Sequence, residues 1–226
     1  MRGLFVTGTD TGVGKTVLAA AIVAALRASG EDVQPLKPIL SGLDEPGDPD
    51  WPPDHELLAR AGGVDPDSVT LIRFGPATSP HLAAELAGRP IDSGALRGQI
   101  HALATGGRTM VVEGVGGLLV PLAPGYDVRD LARELELRLV IAARPGLGTI
   151  NHTLLTLEAA RAAGLDVAAV VLTPWPEDPS TIERSNRETI ARLGDVPVAA
   201  LPMVARPTPD RLAAAGARLP LAAWLG

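Results

Sequence analysis

Short, almost continuously apolar runs alternate along this chain with longer amphipathic ones. Leu4–Thr7, Val33–Lys37, Met110–Glu113, Leu139–Ala142, Ala168–Leu172 and Val198–Leu201 read as strands. Between them Lys15–Ser29, roughly Gly94–Thr105, Val128–Leu135, Thr149–Ala163, Thr181–Leu193 and Pro209–Ala215 read as helices. Strands apolar on both sides belong to a parallel sheet covered by helices on each face. Strand–helix alternation therefore predicts an α/β, doubly wound fold with ligands at the C-terminal ends of the strands. The stretch Val17–Leu26 is apolar almost all round, which predicts a heavily buried first helix. Asp44–Pro53, with Pro46, Gly47, Pro49, Pro52 and Pro53 among acidic residues, reads as an exposed loop. No repeat and no long linker divides the sequence, so residues 1–226 are expected to form a single domain.

Composition narrows the classes. An apolar fraction of 46% and a charged fraction of 20% are those of a soluble globular protein. The net charge of −6 argues against a general nucleic-acid binder, whose phosphate contacts need clustered Lys and Arg. With no cysteine, disulfides, thiolate metal sites and cysteine nucleophiles are excluded. Leu4-Phe5-Val6 is too short for a secretion signal, and no stretch has the roughly 20 apolar residues of a membrane span. A cytoplasmic protein without membrane contact is expected.

The chemistry begins at Gly8-Thr9-Asp10-Thr11-Gly12-Val13-Gly14-Lys15-Thr16, directly after the first strand. A strand, a glycine-rich turn and Gly-Lys-Thr opening a helix form a cradle for nucleotide phosphates. Backbone N–H groups turned inward make an anion nest, and the helix N-terminus adds positive potential. Lys15 is expected at the β- and γ-phosphates, and the Thr16 hydroxyl in a Mg²⁺ shell. Five residues separate Gly8 from Gly14, one more than the common pattern.

Other candidates are less specific. Lys37-Pro38-Ile39-Leu40-Ser41-Gly42 follows the second strand, on the phosphate rim of the sheet. Lys37 there either stabilises charge on a transferring phosphoryl group or is a surface lysine before a turn. Asp54, after Pro53 and before a helical run, fits an N-cap. Glu113 ends a strand before Gly114-Val115-Gly116-Gly117, where many phosphate-loop proteins keep a second Mg²⁺-binding acid. Ser79-Pro80 and Gly148–His152 read as helix starts, and N–H groups near Gly148–Asn151 could take a carboxylate. His81 and His152 read more readily as structural than as catalytic, His55 and His101 have no context, and the charges of Arg129–Arg138 read as a solvated helix face. Neither zinc-ligand spacing nor a serine-hydrolase elbow is present.

In order and over most of the chain, Gly8–Thr16, Lys37–Gly42, Asp54, Thr78–His81, Glu113–Gly117 and Gly148–Thr153 resemble the dethiobiotin synthetase family. The Thr-Gly-Thr-Asp-Thr start with its lengthened loop is specific to that family. The resemblance implies a phosphate-loop fold and an ATP- and Mg²⁺-dependent cyclo-ligase acting on 7,8-diaminononanoate and CO₂. It implies that Lys37, Lys15 and Thr11 serve catalysis. Gly12, Val13, Gly14, Lys15, Thr16, Val17, Asp54, Glu113 and Gly116 would surround the nucleotide, with Thr16, Asp54 and Glu113 holding Mg²⁺. Thr11, Lys37 and Ser41 would contact diamine or carbamate. Gly148, Thr149, Ile150 and Asn151 would receive the substrate carboxylate across a homodimer interface. The base side would be Thr173, Pro174, Pro202, Met203 and Val204. Better-known bacterial members carry Asn-Asp where this chain has Thr173-Pro174, which implies looser base selection and use of other nucleoside triphosphates.

Rival readings are an amidoligase of the cobalamin type and a nucleotide-switch ATPase. The first usually needs a glutaminase domain with a cysteine, and this chain has none. The second typically carries another lysine early in the loop, where Thr9 and Asp10 stand here. A bare nucleotide-binding module would leave Lys37 and Ser41 without a role.

Overall fold

The computed structural model describes residues 1–46 and 51–226. The strands are β1 (Gly3–Gly8), β2 (Val33–Leu36), β3 (Ile39–Leu40), β4 (Ile72–Arg73), β5 (Thr109–Glu113), β6 (Pro121–Ala123), β7 (Tyr126–Asp127), β8 (Arg138–Ala143), β9 (Val167–Trp175) and β10 (Val198–Pro202). The helices are α1 (Lys15–Ala28), α2 (Asp54–Gly62), α3 (Pro80–Leu86), α4 (Ser93–Leu103), α5 (Val128–Leu135), α6 (Thr149–Ala162), α7 (Thr181–Gly194), α8 (Pro209–Gly216) and α9 (Leu221–Leu225). Six strands form a parallel sheet in the order β10-β9-β8-β1-β5-β2, while β3 pairs with β4 and β6 with β7.

Alternation along each strand sorts the core into two layers. Leu4, Val6, Val111, Val140 and Val171 face α1, α2, α8 and α9. Phe5, Met110, Val112, Ile141 and Leu172 face α3 to α7. The expectation of strands apolar on both sides is met in this way. α1 is buried from Leu18 to Leu26, as its sequence requires, because sheet, α2 and α8 enclose it. Its small residues let α8 approach closely: a Cβ on Gly216 would sit 2.1 Å from the Ala21 carbonyl oxygen.

Register sets the site. β1 lies between β5 and β8, with Val6 opposite Glu113 and Gly8 opposite Ala142. The phosphate loop thus leaves the centre of the sheet at its C-terminal rim. On the other side of β5, Leu36 is level with Val112, so Lys37 and Glu113 follow as neighbours.

Three expectations change. β9 continues through Thr173 and Pro174 to Trp175 instead of stopping at Leu172. The helix expected over Gly94–Thr105 runs from Ser93 to Leu103, capped by the Asp92 carboxylate on Ala95 N–H. Asp54 is not an N-cap: Pro53 holds that position without a side-chain bond, and Asp54 is the first residue of α2. Of the loop expected over Asp44–Pro53, residues 47–50 lie outside the described residues.

Candidate active site

The loop after β1 turns on Gly14, whose φ of 92° is left-handed and favours glycine. A Cβ at that position would also come within 3.0 Å of the Thr173 side chain. No side chain caps α1, so its first-turn N–H groups remain available to an anion. Lys15, the first helical residue, is 7% exposed and donates from Nζ to the Asp10 carbonyl at 2.7 Å. Burial lowers its pKa, with Glu113 pulling the other way. The Asp10 carboxylate accepts from Thr11 N–H at 2.6 Å and so braces the extra length of the loop.

Beside Lys15 lies a compact charge cluster. Lys37 Nζ donates to Glu113 Oε1 at 2.8 Å and also bonds Asp54 Oδ2. Thr16 Oγ1 donates to the same Glu113 Oε1 at 2.8 Å. Burial alone would lower the Lys37 pKa; the carboxylates of Glu113 and Asp54 outweigh it and raise it above the ordinary lysine value. Burial pushes Asp54 up but Lys37 overrides it, leaving the group below the usual range. Glu113 is raised, because burial exceeds the help it receives from Lys37. Its second oxygen, Oε2, is buried without a hydrogen-bond partner. An orphaned carboxylate oxygen beside a hydroxyl and a second carboxylate is the hard-oxygen donor set that suits Mg²⁺. Among the described residues no group of three His, Cys, Asp or Glu could hold a metal, so a divalent site here depends on the Thr16 hydroxyl as well.

A cavity of about 690 Å³ opens over this cluster. Its walls include Thr11, Gly12, Gly14, Lys15, Thr16, Val17, Lys37, Ser41, Asp54, Glu113 and Gly116, which the sequence had marked. Ser41 Oγ donates to the Thr78 carbonyl at 2.7 Å, drawing the loop before α3 over the cavity. Leu40, Thr78, Ser79, Pro80 and Val115, from the same sequence motifs, line it too, and Trp51, Ala77 and Val120 complete the wall without a motif signal, because an apolar lining has none.

The remaining candidates do not line this cavity. Val13 is buried beneath the loop at 2% exposure. Thr173 and Pro174 lie just before the end of β9, with Thr173 against Gly14, and Pro202, Met203 and Val204 stand at the end of the adjacent β10. Gly148, Thr149, Ile150 and Asn151 form the start of α6 and do not line the cavity of this chain. His81 lines a separate cavity, while His152 is exposed at the start of α6. Asn186, which belongs to none of the sequence motifs, is buried and bonds the turn before α6.

A parallel sheet whose central strand feeds Gly-Lys-Thr into a helix, with a carboxylate at the next strand tip, defines a phosphate-loop nucleotide-binding protein. A family model described as an AAA domain matches residues 2–210. A ParA family ATPase from Chlorobium tepidum TLS superposes with a TM-score of 0.56 over 95% of this chain and 89% of its own, at 16% identity, a likeness of fold. The ATP-dependent dethiobiotin synthetase of an Anaeromyxobacter species is 45% identical over 208 residues, 87% of this chain and 91% of the relative. That of Mycobacterium avium is 44% identical over 198 residues, covering 87% and 85%. The chain belongs to the dethiobiotin synthetase family, and with it to the ATP-dependent ligases.

Proposed function

We propose that this enzyme carboxylates 7,8-diaminononanoate with CO₂ and closes the ureido ring of dethiobiotin, consuming one ATP. The observation that carries the reading is the juxtaposition of Lys15 and Lys37 with Thr16, Asp54 and Glu113 under one cavity. Two lysines at a phosphate-loop rim suit a reaction in which an anionic nucleophile meets an anionic phosphoryl group.

One amine of the diamine adds to CO₂, loses a proton and becomes a carbamate. A carbamate oxygen attacks the γ-phosphorus of ATP, the bond to the bridging oxygen breaks, and ADP leaves. The second amine then attacks the carbamoyl carbon, loses its proton, and expels phosphate as the ring closes. Activation is required because an anionic carbamate resists an amine nucleophile. Lys37 neutralises the carbamate and the transferring phosphoryl group, Lys15 the β- and γ-phosphates, and Thr11 and Ser41 orient the carbamate. Orientation and charge neutralisation carry most of the rate. Thr16, Asp54 and Glu113 are the residues that would hold Mg²⁺, which supplies further neutralisation of the phosphate oxygens.

The carboxylate end of the substrate is assigned to the α6 N-terminus, Gly148 to Asn151, of a second copy. Two observations support a homodimer. That segment does not line the cavity of its own chain, and Leu147 and Leu155 around it are 87% and 56% exposed. The enzyme is read as a cytoplasmic protein with no nucleic-acid or membrane partner; among the described residues no helix is long and apolar enough to cross a membrane. For the base, Thr173 and Pro174 supply no carboxamide pairing edge, which favours tolerance of other nucleoside triphosphates.

Purified protein with Mg²⁺-ATP, bicarbonate and the diamine should form dethiobiotin in step with ADP, and Lys37→Ala should abolish both. Equal ADP release without diamine, and no dethiobiotin, would instead indicate a nucleotide switch.

A further inference from the structure

α7 turns Asn186, Ile190 and Gly194 inward, one stripe at four-residue spacing. Asn186 is thus a polar side chain in a position that packing alone would give to an apolar one. Its Nδ2 donates to the Pro145 carbonyl at 2.9 Å and to the Gly146 carbonyl at 3.0 Å. Gly146 O also accepts from Thr149 N–H at 3.3 Å, so the turn that Asn186 grips is the one that launches α6. On its other flank, Arg144 Nη2 reaches the Gly12 carbonyl at 3.4 Å, tying the same turn to the phosphate loop. Gly148, the N-cap, has a φ of 86° and provides no side-chain cap. The orientation of α6 is thus left to the preceding turn and to the buried Thr149 and Thr153, and the N–H groups of Ile150 and Asn151 have no carbonyl of the helix above them.

We propose that Asn186 is a positioning residue for recognition of the substrate carboxylate. By holding Pro145 and Gly146 it aims the first-turn N–H groups of α6 at the carboxylate of a diamine bound in the neighbouring protomer. The inference rests on the reading of α6 as the carboxylate receptor. Its energetic logic is pre-organisation: donors already aimed lose little freedom when the anion arrives. Without the clamp the turn gains freedom, and binding of the acid weakens while chemistry at the distant amines does not.

The test compares 7,8-diaminononanoate with its carboxamide, which keeps size and chain but loses the charge. Wild-type enzyme should prefer the acid by about 10- to 100-fold in kcat/KM, the range of charge-assisted hydrogen bonds. Asn186→Ala should raise KM for the acid about tenfold, leave kcat and KM for ATP within about twofold, and leave the carboxamide unchanged. Asn186→Ser, which keeps one donor, should fall between and serves if the alanine variant does not fold. An unchanged preference in folded variants would overturn the role of Asn186, as would equal losses with both substrates. A wild-type enzyme indifferent to the carboxylate would instead overturn the reading of α6.

Discussion

Replacing Lys37 by Met tests the charge cluster before any substrate is added. The Lys37 side chain is 7% exposed, and its ammonium lies between Glu113, whose side chain is fully buried, and Asp54, whose side chain is 38% exposed. Removing it leaves two carboxylates facing each other, one with no solvent. Breaking a buried pair costs about 3–5 kcal/mol, and the partial exposure of Asp54 screens its share, so the lower end applies. At roughly 2–4 °C per kcal/mol for a domain of this size, Lys37→Met should melt about 6–12 °C below the parent. Adding Glu113→Gln removes the uncompensated charge and should restore more than half of the loss, a non-additivity expected of neighbours. Mg²⁺ without nucleotide should stabilise Lys37→Met more than the parent, since in the parent the ammonium already engages the carboxylates that would bind the ion. Circular-dichroism melts of the parent, both single variants and the double variant, with and without Mg²⁺, measure all of this. A single variant within about 1 kcal/mol of the parent, with equal Mg²⁺ shifts, would refute the cluster as described.

Tyr126, the single tyrosine, donates its hydroxyl to Glu134 Oε2 at 2.9 Å, and burial, then Glu134, raise its pKa well above the ordinary 10.0. A folded-state pKa above the unfolded one contributes stability that is complete below pH 10 and is lost as pH rises through the folded value. Tyrosinate absorbance should therefore appear late in folded protein and near the ordinary value in denaturant; coincident titrations would contradict the contact. Gly216→Val should destabilise by about 1–3 kcal/mol or more, read by urea unfolding, because its side chain would meet the α1 backbone at Ala21. For the base, kcat/KM with CTP, GTP or UTP should stay within about 100-fold of ATP, as expected where no hydrogen-bonded pair discriminates. A preference for ATP of about 1,000-fold or more would mean that another group reads adenine.

Most strands of the central sheet were legible because burial on both faces leaves nearly continuous apolar runs, though β2 carries Gln34 and edge strand β10 is only half-buried, and Lys15 and Thr16 because a phosphate cradle constrains a short contiguous stretch. Glu113 and Lys37 were legible as strand-end residues, but their pairing came from register, which fixes Lys37 next to Glu113 only once β2 is seen beside β5. Asp54 was misleading locally: Pro-Asp before a helix signals a cap, whereas a lysine 17 residues earlier in the chain takes the carboxylate. β3, β4, β6 and β7, of two or three residues each, are too short to carry a pattern. β9 outran its expected end because Pro174 near a strand terminus gives up only one ladder donor. Asn186 left a signal that could have been used, a carboxamide one turn before Ile190 on an inward stripe.

Oxygen labelling follows the carbamate oxygen through phosphoryl transfer and ring closure. With CO₂ labelled by ¹⁸O and unlabelled ATP, carbamate attack on the γ-phosphorus followed by ring closure predicts one ¹⁸O in each released phosphate and one in the ureido carbonyl of dethiobiotin. Phosphate free of label, with dethiobiotin still formed, would contradict the anhydride route and detach the lysine pair from the chemistry assigned to it.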